Sequence, residues 1–138
     1  MANRPYLKGG SQSWTSALVN WTGDNIKVAA CSAAYTPDTS ASGDQFLSVI
    51  PGGAIIATSP NLASKTNVGG VLDAADAVFS SVSGATITQV VIYKDTGSGA
   101  TSELLGLYDT GSNLPVVPNG GNITLQFAEA PNFVMAFY

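Results

Sequence analysis

The chain has 138 residues, a length typical of one domain with a core of its own. Charged residues make up only 10% of it, hydrophobic residues make up 45%, and the formal net charge is -4. Nucleic acid and anionic lipid bind clusters of Lys and Arg, so this composition argues against both as partners. No segment resembles a signal peptide or approaches the roughly 18 consecutive apolar residues of a membrane span. We therefore expect a protein made in the cytoplasm, with no membrane partner.

The chain is predicted to consist of an N-terminal arm, residues 1–13, and a single β domain, residues 14–138. The arm is polar and contains glycines, but it also carries apolar anchors and two basic side chains. An arm of this composition can wrap a neighbouring molecule. We predict assembly contacts from four of its residues: Arg4, Tyr6, Leu7 and Lys8.

The first clear strand of the domain is predicted at residues 26–31, where β-branched and small apolar residues follow a polar turn. This strand contains Cys31, the only cysteine, which excludes an internal disulfide and is expected to be a buried, inert thiol. Shorter strands are predicted at residues 53–57 and 71–72. The turn-rich segment 35–43, which lies between the strands at 26–31 and 53–57, is expected to be an exposed loop, either a contact element or idle surface.

Helical periodicity is nearly absent from the chain. Two short stretches are compatible with single turns: residues 45–49, with Asp44 as a possible N-cap, and residues 72–77. Neither is long enough to organise a fold.

A hairpin is predicted at residues 86–109, because two strands with apolar residues on both faces flank a glycine-containing connection. Apolar residues on both faces are typical of central strands that are covered on each side.

A second hairpin is predicted at residues 122–138, with a break at Pro131-Asn132. In its first strand Ile123, Leu125 and Phe127 alternate with polar residues, so one face is expected in the core. Its terminal strand would be a sticky edge unless it is covered. We predict assembly contacts from three residues there: Phe133, Met135 and Phe137.

The fold class predicted by these patterns is all-β: an antiparallel β-sandwich or barrel-like single domain with little helix, less than about 15%.

Catalytic and metal-binding residue types are scarce. The absence of histidine removes the commonest general base and metal ligand, and one cysteine cannot build a zinc or copper site. Four of the nine acidic residues suggest a calcium site, because oxygen ligands suit a hard cation, but no EF-hand loop is present. We predict solvated loop carboxylates, and we expect no catalytic residue, no metal and no cofactor. The four acidic residues are Asp38, Asp44, Asp73 and Asp76.

The tripeptide Asp-Thr-Gly occurs twice, beginning at Asp95 and at Asp109, and the second copy resembles the catalytic loop of aspartic proteases. Those enzymes place two such loops across a twofold axis, so that two carboxylates share a proton. Two copies in one hairpin of one chain do not meet that requirement. We interpret both as turns, in which Asp caps and Gly takes positive φ. A dimeric aspartic protease that uses one Asp109 per chain is the remaining enzymatic alternative.

Several short motifs follow one another along nearly the full chain. They are Met-Ala-Asn at the start with Tyr-Leu-Lys at 6–8, DNIKVAA at 24–30, FLSVIP at 46–51, ATSP at 57–60, VIYKDTG at 91–97 and LPVVPNGG at 114–121. Their order resembles a family of small virion structural proteins of tailed phages, of the capsid decoration or cement kind.

The resemblance implies a capsid decoration protein that binds the major capsid protein, stabilises the lattice and is located in the virion. By analogy with decoration proteins at threefold lattice positions, it also implies a homotrimer. A tail, baseplate or receptor-binding component is the alternative.

Overall fold

The computed structural model describes residues 4–6, 19–68, 71–111, 113–127 and 135–137. Strands account for 37% of the structure and helical turns for 6%, and the sheets are antiparallel, so the predicted all-β class is confirmed. The strands are β1 (Arg4–Pro5), β2 (Ile26–Ser32), β3 (Ile55–Thr58), β4 (Thr66–Val68), β5 (Val71–Asp73), β6 (Ala77–Phe79), β7 (Ile87–Lys94), β8 (Leu104–Tyr108), β9 (Ile123–Phe127) and β10 (Met135–Phe137).

A five-stranded sheet in the order β1-β8-β7-β2-β3 forms the centre of the molecule. Its middle strands β2 and β7 pair over their whole length, and both have buried side chains on both faces. The hairpin of β7 and β8 and the central position predicted for β7 are both confirmed.

A β-bulge in β8 lets that strand supply both faces of the sheet. Ile92 lies opposite Gly106 and Tyr93 lies opposite Leu104, so Leu105 is an extra residue between them. Leu105 therefore packs in one core, while Leu104 and Leu107 pack in the other.

The first core lies between the five-stranded sheet and a three-stranded sheet in the order β10-β9-β6. Ile123, Leu125 and Phe127 of β9 point into this core and are all buried, as predicted. β9 and β10 pair antiparallel, which confirms the second hairpin, although residues 128–134 between them lie outside the described part. Two sheets packed over one core make the domain sandwich-like.

The second core covers the opposite face of the five-stranded sheet, and loops close it. It contains Tyr6 from the N-terminal segment, which is residues 4–6, and Tyr35 from the loop after β2. Ile50 and Ala54, at two short 3₁₀ turns, also belong to it. Cys31 lies in this core, fully buried, and burial raises the pKa of its thiol to about 12, in agreement with an inert thiol.

Three local predictions need correction. Residues 72–77 do not form a helical turn, because β5 extends to Asp73 and β6 begins at Ala77. Strand β3 begins at Ile55 and not at residue 53, because a 3₁₀ turn occupies Gly52–Ala54. The turn near residue 47 exists as Leu47–Val49, but its N-cap is Phe46, which makes no side-chain cap.

Candidate assembly site

Tyr6 and Tyr35 form the centre of the site at which the N-terminal segment joins the domain. Strand β1 pairs with β8 at the edge of the central sheet, and the Tyr6 N–H donates to the Leu105 carbonyl at 3.3 Å. The Tyr6 side chain is fully buried, and its hydroxyl lies 2.8 Å from the Tyr35 hydroxyl. The structure therefore places this part of the predicted arm inside the domain's own sheet and core.

Asp44 continues this contact to the surface. The Tyr35 hydroxyl donates to Asp44 Oδ2 at 2.8 Å, so the one Tyr35 proton is used there and the Tyr6 hydroxyl donates to Tyr35. Burial, followed by the hydrogen bond with Tyr6, raises the pKa of Tyr35 far above its usual range, so it stays neutral. We call Tyr6, Tyr35 and Asp44 the tyrosine chain.

The exposed loop after Tyr35 is organised by the same carboxylate. Asp44 Oδ2 also accepts the Asp38 N–H at 2.9 Å, and Asp38 Oδ1 accepts the Ser40 N–H at 3.0 Å. A Cβ at Gly43 would lie 2.2 Å from the Asp38 carbonyl oxygen, so only glycine fits this close approach. The tyrosine chain thus connects the N-terminal segment to the loop that the sequence predicts to be either a contact element or idle surface.

The other predicted contact residues are placed only in part. Met135 and Phe137 lie in β10, which forms an edge of the three-stranded sheet among the described residues. Arg4 lies in β1, opposite Leu107. Leu7, Lys8 and Phe133 lie outside the described residues.

Ion pairs gather at one end of the central sheet, where β2 begins and β7 ends. Lys27 Nζ lies 2.7 Å from Asp95 Oδ2, and Lys94 Nζ lies 3.1 Å from Asp24 Oδ2. Lys65 donates to the Asp24 carbonyl oxygen. These three lysines are all those whose side chains the structure describes.

Hydrogen bonding lowers the pKa of both carboxyls in these pairs. For Asp95 the largest cause is the bond from Lys27, followed by that from the Gly97 N–H. For Asp24 the largest cause is the bond from the Asn20 N–H, and Lys94 adds to it. Both carboxylates are therefore stabilised in their charged form.

The two Asp-Thr-Gly copies lie at opposite ends of the β7–β8 hairpin. Asp95 follows β7, whereas Asp109 follows β8 beside Gln89, because Tyr108 lies opposite Val90. Six residues of extended strand separate the two ends by roughly 20 Å. Asp95 Oδ1 accepts the Gly97 N–H at 3.0 Å, and Gly97 has φ 88°, which is the predicted turn. Within one chain the two carboxylates do not meet.

Two of the clefts on the described surface are lined by polar side chains. One, of about 480 Å³, lies between the β4–β5 hairpin and β9, and Asp73, Asp76 and Gln126 line it. The other, of about 320 Å³, lies beside the tyrosine chain and is lined by Tyr35, Thr36, Pro37, Thr88, Gln89, Asp109 and Ala33.

The acidic residues considered for calcium make protein hydrogen bonds instead of gathering. Asp73 Oδ1 accepts the Ala74 N–H, and Asp76 Oδ1 accepts the Phe127 N–H. Among the described residues, no three His, Cys, Asp or Glu side chains are grouped as metal ligands. No helix in the described ranges is long and apolar enough to cross a membrane.

The sequence did not predict the roles of two residues of the site. Gln89 is buried, and its Nε2 donates to the carbonyl oxygens of Ser32 and Tyr35, which fixes the start of the loop. Its position as a polar residue within a strand predicted to be central could have indicated this role. The second is Asp44, which was considered a helix cap and is the acceptor of the tyrosine chain.

No protein-family model matches this chain, and no curated protein is significantly similar to it.

Proposed function

We propose that this chain is a non-catalytic structural protein of a tailed-phage particle, a capsid decoration protein that binds the major capsid protein and itself. The observation that supports the proposal most is the distribution of charge. Lys27, Lys65 and Lys94 lie at one end of the sandwich, and each contacts an Asp24 or Asp95 oxygen there. Arg4 in β1 is the one other basic residue among the described residues, so little cationic charge needs to be desolvated when a protein partner covers the rest of the described surface.

The partner's chemistry follows from the remaining surface. The described surface beyond the lysine end combines Ser, Thr, Gly and Ala with carboxylates such as Asp38 and Asp109. Val117 is 74% exposed in the loop after β8, and Val78 projects outward from β6. A neutral or mildly basic protein surface with apolar spots fits this face, and a capsid lattice offers such surfaces in many copies.

The charge distribution also weighs against a nucleic-acid role for a particle protein. Phosphate backbones require several lysines or arginines on one accessible face. The described lysines are instead engaged by carboxylate or carbonyl oxygens. The proposal therefore assigns the protein to the outside of the shell, away from the packaged genome.

The test is binding to assembled shells of tailed-phage major capsid proteins. Purified protein is mixed with empty shells, and the pelleted fraction is measured as a function of concentration. We expect saturable binding at a fixed number of copies per shell and an increased shell melting temperature. A protein that stays in the supernatant at all concentrations contradicts the proposal. Mass spectrometry of purified particles should give hundreds of copies, whereas a handful would place the protein at the tail tip.

The cleft beside the tyrosine chain favours a second candidate, a receptor-binding tail component. Its lining of Tyr35, Thr36, Thr88, Gln89 and Asp109 combines an aromatic ring with hydroxyl, amide and carboxylate groups. Such a combination suits sugar hydroxyls. Binding of host-surface glycans that Asp109→Ala abolishes, together with low copy number in particles, would favour this candidate.

A further inference from the structure

The N-terminal segment contributes one side chain without which the second core is open. Tyr6 is fully buried in that core, and its hydroxyl is the first donor of the tyrosine chain. Each domain therefore needs one tyrosine in this socket. Its contacts include the Leu105 carbonyl, the Tyr35 hydroxyl and the core, and these contacts would be the same if another copy of the chain supplied the tyrosine.

The topology separates this segment from the strand that follows it. Strand β1 forms one edge of the central sheet. Two strands, β8 and β7, lie between it and β2, the next strand along the chain. Residues 7–18, twelve in number, connect Tyr6 to Val19. At up to about 3.3–3.6 Å per residue, twelve residues can span at most roughly 40 Å, which is comparable to the width of a domain of this size.

Two copies could also associate by adding a strand of one copy to the outer edge of β1 in the other, but the backbone of β1 disfavours this. Tyr6 forms a hydrogen-bonded pair with Leu105, so the preceding pair, Pro5 and Gly106, is a non-hydrogen-bonded one. At that position the backbone nitrogen faces outward, and Pro5 has no N–H to offer a further strand. Addition of a strand outside β1 is therefore disfavoured, whereas replacement of β1 by the same segment from another copy keeps every contact.

We propose that the assembled protein exchanges its N-terminal segments, so that Tyr6 of one copy fills the Tyr35–Asp44 socket of the next. This deepens the proposed function and rests on its self-association. If each of three copies passes its segment to the next in the same direction around a threefold axis, the exchange closes into a ring, which is consistent with a trimer. Because the socket also organises the loop at residues 38–44, each exchanged segment fixes the conformation of that loop in its neighbour.

The test uses two single-cysteine proteins in a Cys31→Ala background, one carrying Pro5→Cys and the other Gly106→Cys. Non-hydrogen-bonded pairs bring side chains close enough for a disulfide. A Cβ at Gly106 has only an ordinary 3.4 Å contact with Tyr108, so the change is tolerated. Tyr6 stays in place in both proteins, and the core remains filled.

The two proteins are refolded together, oxidised and separated on a non-reducing gel, with each protein oxidised alone as the control. Exchange predicts a covalent dimer in the mixture at least tenfold above either control, and covalent multimers from the protein carrying both substitutions. A mixture that stays monomeric, with the double variant closing entirely within one chain, overturns the proposal.

Light scattering on two Tyr6 variants gives an independent readout. Tyr6→Phe keeps the ring and should retain the assembled mass, whereas Tyr6→Ala should fall to the mass of one chain. Equal masses for both variants contradict the exchange. No shells are present in these experiments, so exchange without shell binding would refute only the decoration function, and shell binding by a non-exchanging protein would refute only the exchange.

Discussion

The effect of replacing a side chain of this domain depends on whether that side chain is buried in one of the two cores. Leu125 is completely buried in the first core. It lies in β9, the middle strand of its sheet, between Ala77 of β6 and Phe137 of β10. Its neighbour Thr124 is only half-buried on the other face of the same strand. The two positions therefore form a matched pair for testing the packing of the first core.

We expect Leu125→Ala to lower the free energy of unfolding by about 2–5 kcal/mol, because it removes buried methyl groups and leaves a cavity. Thr124→Ala should change it by less than about 1 kcal/mol. Urea denaturation followed by tryptophan fluorescence measures both. An unchanged midpoint for Leu125→Ala would mean that the buried face of β9 is wrongly assigned.

Asp109 is the residue on which the enzymatic alternative depends. Asp95 and Asp109 do not meet within one chain, and Asp109 Oδ1 accepts the Thr110 hydroxyl at 3.2 Å. We expect Asp109→Asn to leave self-association and shell binding unchanged. Incubation of the unsubstituted protein with unfolded casein at acidic pH should give no cleavage. Cleavage that disappears in Asp109→Asn but persists in Asp95→Asn would establish the dimeric protease.

At the scale of elements, the ends of β2 and β7 are joined by ion pairs as well as by the strand ladder. Lys27 and Asp95 flank that ladder, and hydrogen bonds from Lys27 and Gly97 lower the pKa of Asp95 below its usual 3.8. A carboxyl whose pKa is lower in the folded state stabilises the fold above its unfolded pKa. That stabilisation is lost as the pH falls through the folded pKa.

We therefore expect the urea midpoint to fall as the pH is lowered from about 5 to 2, partly through Asp95. Asp95→Asn keeps the Oδ1 acceptor of the turn but removes the charge, so its midpoint should depend less steeply on pH in this range. At pH 7 the substitution should cost about 1 kcal/mol or less, because the pair is partly exposed. Identical pH profiles for both proteins would show that this ion pair does not contribute.

At the scale of the whole molecule, low charge and open strand edges favour assembly. Among the described residues, β10 and β6 form the edges of the smaller sheet, and β3 forms one edge of the larger sheet without Pro or Lys in its sequence. Native edges are usually protected by such residues. These edges, together with the N-terminal segment, are the surfaces on which copies can meet.

We expect purified protein to have the mass of a trimer in light scattering at micromolar concentration. Because few exposed ion pairs would be involved, the mass should be insensitive to salt between about 0.1 and 1 M. Removal of residues 1–10 should reduce the mass to that of one chain. A monomer at all concentrations, with or without these residues, would contradict the assembly.

The sequence by itself determined the strands whose pattern is local. Alternation at residues 122–127 and two-sided apolarity at residues 86–94 predict one half-buried and one central strand, because successive side chains of a strand point to opposite faces. The same logic predicted both hairpins, the burial of Cys31 and the turn at Asp95. It failed at residues 72–77, where alanines and aspartates occur in no clear period and pairing with distant strands decided the structure.

Only the tertiary structure decided how the candidate site is built. Tyr6 was singled out by the sequence as an anchor, but its partner Tyr35 is 29 residues away, and Asp44 accepts the Tyr35 hydroxyl only because of the fold. The bulge at Leu105 and the gathering of three lysines at one end likewise follow from strand order. Strand order depends on which apolar faces can be buried together across the whole chain. No local pattern of residues specifies that choice.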